Sequence, residues 1–261
     1  MIGWLANEVA LAWIHDRVPR NTPPLPDFFF SLLPELPEAI RVAEWIMLCL
    51  TLSVFLLLLL HKHRVHVARR VFFCASVCYL FRAFAISIIQ MPVPSTKTFC
   101  APAAASSGVS VVASRVAAMA WSAGIEEFRP RQLCGDLVVS GHTLSIITAT
   151  LAFRHYAPRK LQMLSFLYSI LAAIALFSIL LARKHYSIDV LLGYLVASRV
   201  FSEYHCLALS FHEGQFEKSP LSSFLWLRLL PFMERDAPPC HLLSNHLEWP
   251  SPCFAPLKGR F

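Results

Sequence analysis

Cys134-Gly135-Asp136-Leu137-Val138-Val139-Ser140-Gly141-His142-Thr143 leads into one apolar run, and His185-Tyr186-Ser187-Ile188-Asp189 leads into another. Between them lies a single apolar hairpin, so both stretches return to the same side of a membrane. Two imidazoles and a carboxylate gathered at one membrane face make a site for phosphoryl chemistry. The remaining sequence reads as the lipid-embedded scaffold that holds it.

Composition supports that reading. The 261 residues are 56% hydrophobic and 15% charged, against about 25% charged in a soluble domain. The fold class is therefore all-α, a multi-pass transmembrane helical bundle. The formal net charge is +7. A nucleic-acid binder would line one face with its basic side chains, whereas here they cluster between apolar runs, as orientation in a bilayer requires. Nucleic acid is not an expected partner. The eight cysteines form no pair of C-x-x-C units, which disfavours a structural zinc site. No Asn-x-Ser/Thr acceptor and no glycine-rich phosphate loop occurs.

Working outward, Ala43 to Leu60 is the cleanest span, with Glu44 at its mouth. It ends in His61-Lys62-His63-Arg64-Val65-His66-Val67-Ala68-Arg69-Arg70, whose Lys and Arg mark a cytoplasmic loop. The histidines there permit a metal, but a basic juxtamembrane loop suits anionic lipid better. Val71 to Met91 is the next span, with Arg82 near its middle and Tyr79 about one turn before it on the same face. A mid-bilayer Arg costs on the order of 2.5–3.5 kcal/mol and needs a partner. Two readings stand: Arg82 pairs with a carboxylate for structure, or it helps hold a substrate phosphate. Three further apolar runs, Ser140 to Arg154, Leu161 to Ala182 and Ile188 to Phe211, complete five full spans.

Ile2 to Ile14 is apolar but short and carries Asn7 and Glu8, so it reads as half a span or an interfacial helix. The expected organisation is a truncated first span (1–18), a proline-rich non-cytoplasmic loop (19–42), a membrane catalytic core (43–211) and a cytoplasmic tail (212–261), partly ordered at best. The segment from Thr96 to Leu133 is expected as a long loop, its centre too polar to span, with Ser106-Ser107-Gly108 inside it. Cys100 and Cys134 bracket that loop, either as a disulfide, if that face is lumenal, or as free thiols. Residues 61–70, 154–160 and 212 onward share one side of the membrane; residues 15–42, 92–139 and 183–187 share the other, and both motifs fall there.

His185 and Asp189 stand four apart at a helix start, hence on one face. A carboxylate behind a histidine fixes its tautomer and raises its basicity. His142 supplies a second imidazole: one ring can attack phosphorus while the other protonates the leaving alkoxide. Gly141 allows close backbone approach, Ser140 and nearby amides can bind phosphate oxygens, and Arg183 with Lys184 can stabilise transition-state charge. The same two histidines and the aspartate also permit a zinc site, which the neighbouring cations would repel.

The two motifs resemble the third and fourth signatures of the sphingomyelin synthases, within the lipid phosphate phosphatase superfamily. Pro23-Pro24-Leu25-Pro26-Asp27 resembles the first signature, and Arg69-Arg70 with Tyr79 and Arg82 the second. Arg199 and Tyr204-His205 resemble the end of the last span. The resemblance implies a six-span enzyme, in the Golgi or plasma membrane, with its site on the lumenal or outer face. It implies transfer of phosphocholine from phosphatidylcholine to ceramide, giving sphingomyelin and diacylglycerol, with no cofactor and no metal. By motif position His185 would be the nucleophile, Asp189 its support, and His142 the acid and later the base. Asp136, Ser140, Gly141 and Tyr186 would contact substrate, together with Arg82, Tyr79, Arg183 and Lys184. A homo-oligomer is compatible with this reading.

Three departures bear on it. The family's opening span is present here only from its middle, before the run His15-Asp16-Arg17-Val18-Pro19. Ala182-Arg183-Lys184-His185-Tyr186 replaces the family's usual Ala-His-acidic-His-Tyr, which opens ethanolamine and inositol phosphate as alternative head groups. The phosphatase signatures fail: Ile179 stands where S-R-x5-H needs Arg, and Ser122 where K-x6-R-P, ending in Arg129-Pro130, needs Lys. Those failures favour a transferase over a lipid phosphate phosphatase; a non-catalytic scaffold remains the third reading.

Overall fold

The computed structural model describes residues 2–98, 100–104, 108–121, 133–239 and 245–249. Ser106-Ser107, Ser122, Arg129-Pro130 and the tail beyond residue 249, all invoked above, lie outside the described residues. The helices are α1 (Ile2–Ile14), α2 (Phe28–Leu32), α3 (Ala39–Leu60), α4 (Arg64–Ile88), α5 (Val109–Trp121), α6 (Gly141–Tyr156), α7 (Gln162–Leu181), α8 (Ser187–His212) and α9 (Leu230–Glu234), with short 3₁₀ turns between them. Among the described residues, β-type pairing is confined to one bridge, His61 with Leu247.

α3 shows why the bundle suits lipid. Its 22 residues hold no proline or glycine, and it buries Leu50, Val54 and Leu57 inward while Trp45, Leu52, Leu56 and Leu59 face out. A helix apolar on all sides belongs in a core or a membrane. Three helical stretches are long and apolar enough to cross one: Ala39–Leu60, Arg64–Ile88 and Arg159–Leu181. That is fewer than the five full spans expected, and packing explains the difference. α6 has only 16 residues, about 24 Å, and lies against α3, α4, α7 and α8. A helix enclosed by protein needs neither the length nor the uniform apolarity that lipid contact demands. α8 has the length, at 26 residues, but carries Asp189, Arg199 and Glu203.

α1 lies lengthwise on the second half of α4 rather than across the end of the bundle. Gly3 gives its amide to Ser76 Oγ at 3.0 Å, in a contact too close for any Cβ, and Asn7 meets Arg82 one turn on. α5 forms within the stretch expected as loop; at 13 residues it is about 20 Å long, short of the ~30 Å hydrocarbon core. It packs on α1, where Arg115 bonds both oxygens of Asp16 and the Ala12 carbonyl.

Loops gather at two ends as the charge pattern requires. At one end Lys62 donates to the His246 carbonyl at 2.9 Å, and Asn245 to that of His155 at 2.8 Å. The tail is built into this end: Glu234 accepts from Arg70 Nε at 2.9 Å and Nη2 at 2.6 Å, from Tyr204 at 2.6 Å, and lies 3.0 Å from His212 Nε2. At the other end Leu36 donates to the Leu181 carbonyl at 2.8 Å, and the starts of α6 and α8 stand side by side.

Candidate active site

α6 and α8 run parallel, so both N-termini face one end, where the helix dipoles favour negative charge. Ser140 caps α6, its Oγ accepting from Thr143 N at 3.3 Å. Asp189, at the third position of α8, ties the two starts together. Its Oδ2 accepts the Tyr186 amide at 3.0 Å, its Oδ1 the Val138 amide at 3.0 Å, and its carbonyl the Ser140 amide at 3.1 Å. Val138 is held at φ 79°, a region costly for a β-branched residue, so the surrounding bonds must over-determine it. Gly193 completes the junction: a Cβ there would stand 2.9 Å from Thr143 Cβ and 3.2 Å from the Ser140 carbonyl.

This frame sets the two histidines. His185 Nδ1 lies 3.5 Å from Asp189 Oδ2, with the side chains 3% and 0% exposed. The His142 ring lies 6.1 Å from the His185 ring, centroid to centroid, at 66°. His142 Nε2 in turn lies 3.8 Å from Glu44 Oε1 on α3. Each imidazole therefore has its own carboxylate.

Arg82 lies beside this pair, fully buried. Its guanidinium pairs with Asp136, donates to Asn7 Oδ1, and donates through Nε to the Val139 carbonyl at 2.8 Å. Gly141 packs on it: a Cβ there would lie 3.1–3.3 Å from the guanidinium atoms. Tyr79 shares a 2.7 Å hydrogen bond with Ser145. His142, Arg82, Asp136, Tyr79 and Glu8 line a cavity of about 90 Å³. Trp4, Met47, Tyr79 and Ser145 also line an apolar groove of about 580 Å³ between α3, α4 and α6. A polar chamber that opens into an apolar groove fits an amphiphile.

Other expected members are placed elsewhere. Arg183 turns away, donating to the Phe30 carbonyl at 2.9 Å and the Leu33 carbonyl at 3.4 Å, and stacks 5.1 Å over the Phe30 ring. It braces the proline-rich loop instead of facing the histidines. Lys184 is half-buried in the same turn, its amide bonded to the Ile179 carbonyl. The Tyr186 hydroxyl also serves the loop, accepting from Leu25 N and donating to the Pro92 carbonyl, each at 3.0 Å. Asp27 accepts from Ser187 Oγ at 2.6 Å and Ser187 N at 2.8 Å. Burial opposes ionisation of Asp27, but the Ser187 hydroxyl and amide outweigh it and hold its carboxyl below the usual range. Arg115 does the same for Asp16, and the Ser95 hydroxyl for Glu35.

Cys100 and Cys134 are joined in a disulfide, two residues before Asp136. His15 Nδ1 accepts the Cys134 amide at 2.9 Å, and its Nε2 lies 3.1 Å from the Ala101 carbonyl and 3.2 Å from Arg20 Nη2. One buried imidazole thus fastens both sides of the disulfide to the end of α1.

Residues 133–206 match the family PAP2 superfamily C-terminal. The chain is 56% identical over 246 residues to sphingomyelin synthase-related 2 of Caenorhabditis elegans, covering 94% of this chain and 74% of that protein. The chain belongs to the sphingomyelin synthase family. It is also 32% identical to phosphatidylcholine:ceramide cholinephosphotransferase 1 of Caenorhabditis elegans, over 88% of this chain but only 50% of that longer relative. With human phosphatidylcholine:ceramide cholinephosphotransferase 2 it shares 30% identity, over 94% of this chain and 68% of the relative. Membership in the sphingomyelin synthase family makes the chain a phosphotransferase. Sequence reasoning within this family passed over Glu44, Asn7, Glu8 and Gly193. The three polar residues carried one signal, a polar group inside an apolar run; Gly193 carried none, because its role is a contact with another helix.

Proposed function

We propose that this chain transfers a phospho-head-group, phosphocholine in the first instance, from a glycerophospholipid to ceramide through a phosphohistidine intermediate. The observation that carries the reading is the facing pair His142 and His185, 6.1 Å apart, each with a carboxylate behind it. Asp189 Oδ2 stands 3.5 Å behind Nδ1 of His185, where its charge supports the imidazole and leaves Nε2 as the nucleophile. Nε2 attacks phosphorus, a P–N bond forms, and the P–O bond to diacylglycerol breaks. His142 gives its proton to the departing alkoxide. The ceramide hydroxyl then enters, His142 removes its proton, and attack on phosphorus breaks the P–N bond.

The separation supports this sequence, since rings 6.1 Å apart, centroid to centroid, can both reach one phosphate group. The N-terminus of α6 favours the phosphate charge. Arg82 and Asp136, already paired, belong to the wall that positions the head group, and the groove beside Tyr79 receives an acyl chain. We further propose that the site faces the lumen or the outside, the side opposite the basic His61–Arg70 loop; a disulfide on that side fits an oxidising compartment.

The test uses the purified chain in detergent with labelled ceramide, offered phosphatidylcholine, phosphatidylethanolamine and phosphatidylinositol separately, with products read by mass spectrometry. A ceramide phospho-head-group product with matching diacylglycerol is expected, and the productive donor names the head group. Head-group release that ignores ceramide would mark a hydrolase instead. His185→Ala and Asp189→Ala should each abolish transfer; full activity in either overturns the assignment.

A further inference from the structure

Beyond α8, residues from Leu221 to Glu234 pack on the bundle. Residues 219–233, Ser-Pro-Leu-Ser-Ser-Phe-Leu-Trp-Leu-Arg-Leu-Leu-Pro-Phe-Met, contain a single charge, Arg228. Their inner face packs on the bundle: Leu227 and Leu230 are fully buried, and the Trp226 ring lies 6.4 Å from that of Phe73. Their outer face is apolar as well, with Phe224, Leu225, Leu229 and Phe232 exposed. A segment apolar on both sides has no stable arrangement in water unless something covers the outer side.

Depth along the helices says what covers it. Phe73 stands three positions past Arg70, in the apolar part of α4 beyond the basic His61–Arg70 stretch. The neighbouring Phe72 ring faces Phe55 of α3 at 6.1 Å, and Phe55 lies five positions, about 8 Å, inside the apolar end of α3 at Leu60. Trp226 is therefore level with the exposed apolar side chains of α3, Leu52, Phe55, Leu56 and Leu59. The outer face of the segment is continuous in depth with that surface. Its backbone is suited to the same medium: short turns satisfy Ser222, Phe224, Leu227 and Arg228 amides on the carbonyls of Ser219, Leu221 and Phe224. Pro220 and Pro231, and a length below the ~20 residues a span needs, keep it from crossing. Glu217 and Lys218 before it, and Arg235 and Asp236 after it, are exposed.

We propose that residues 219–233 are a re-entrant anchor. They dip into the membrane leaflet on the side of the His61–His63 turn, with Phe224, Leu225, Leu229 and Phe232 against lipid acyl chains. Arg228 reaches back to the phosphates at the leaflet surface. Irregular backbone at membrane depth is tolerated where its polar groups are satisfied and it is buried against protein; the short turns supply the first condition, and the packing of Leu227 and Leu230 into the bundle core the second. The proposal rests on the reading that α3 and α4 cross the membrane.

The experiment uses the full chain in phosphatidylcholine liposomes, with photoreactive p-benzoylphenylalanine placed singly at Leu225, Phe232, Leu56 and Glu217. Leu56 is the lipid-facing reference on α3 and Glu217 the aqueous one. After irradiation, mass spectrometry reads phospholipid adducts. Adduct at positions 225 and 232 comparable to position 56, and at least about tenfold above position 217, is expected for side chains in hydrocarbon. Adduct at 56 without adduct at 225 and 232 overturns the anchor and leaves the membrane reading standing. Crosslinks from 225 or 232 to a second copy of the chain also overturn it. No adduct at 56 removes both readings together.

Discussion

The Val138 amide donates to Asp189 Oδ1 at 3.0 Å, so the carboxylate that backs His185 also fastens the loop leading to His142. One side chain thus serves chemistry and alignment at once, and substitutions at Asp189 should separate the two. Asp189→Asn can keep an oxygen for Val138, but it loses the charge that supports an imidazolium and the oxygen that accepts the Tyr186 amide. Transfer should fall by on the order of 10³-fold or more, with the melting temperature falling less than in Asp189→Ala. Asp189→Ala should lower both. Equal melting losses in the two variants would contradict the dual role; the comparison is one of labelled-ceramide turnover against thermal unfolding in detergent.

Gly193 sets the spacing of the two helix starts. In Gly193→Ala the new Cβ, 2.9 Å from Thr143 Cβ, pushes α8 away from α6 and widens the gap between His142 and His185. A misplacement approaching 1 Å costs about 10²-fold in rate. The expected outcome is a fall in kcat with KM little changed, since no substrate contact is removed. An unaltered kcat would show that α8 relaxes without moving His185.

Asp16, Asp27 and Glu35 clamp the loops around the site, and all three carboxyls titrate below their usual values. Their lowered folded pKa values give stabilisation that is complete above the unfolded values, about 3.9 and 4.3. It is lost as pH falls through the folded values. Thermal stability contributed by these clamps should stay level from pH 7 to about 5 and decline below about 4. Asp27→Asn should flatten part of that decline, measured by melting curves across pH.

At the opposite end, Glu234→Gln leaves the Arg70 guanidinium buried without its carboxylate. Breaking one partner of a buried pair costs about 3–5 kcal/mol, whereas replacing both by apolar residues can be neutral. Glu234→Gln should therefore lower the melting temperature sharply, and Arg70→Met with Glu234→Met should restore much of it. Turnover per folded molecule should be unchanged in each, because the histidines lie at the other end of the bundle.

Much of this architecture was legible from the chain alone. The apolar runs of α3, α4 and α7 announce themselves because lipid contact must be satisfied residue by residue along one helix. The charge pattern sorted the loops onto two sides, and the spacing from His185 to Asp189 put them on one helix face, since i and i+4 neighbour each other in any α-helix. What could not be read locally were the partners. Arg82 needed polar partners, but only folding chose Asp136 and Asn7, from two separate stretches of chain. Arg183 reads as a phosphate ligand by position, yet its side chain finds the carbonyls of Phe30 and Leu33 first. The short α6 reads as a weak span until its four neighbours are seen around it. Sequence by itself determined which segments are apolar, which loops gather at the same end of the bundle and that His185 carries a carboxylate one turn away, because these are read from the run of apolar segments and from a single helix. Tertiary structure decided which charges meet, how far apart the two imidazoles stand and where the tail rests, because those depend on distances between segments that no local pattern encodes.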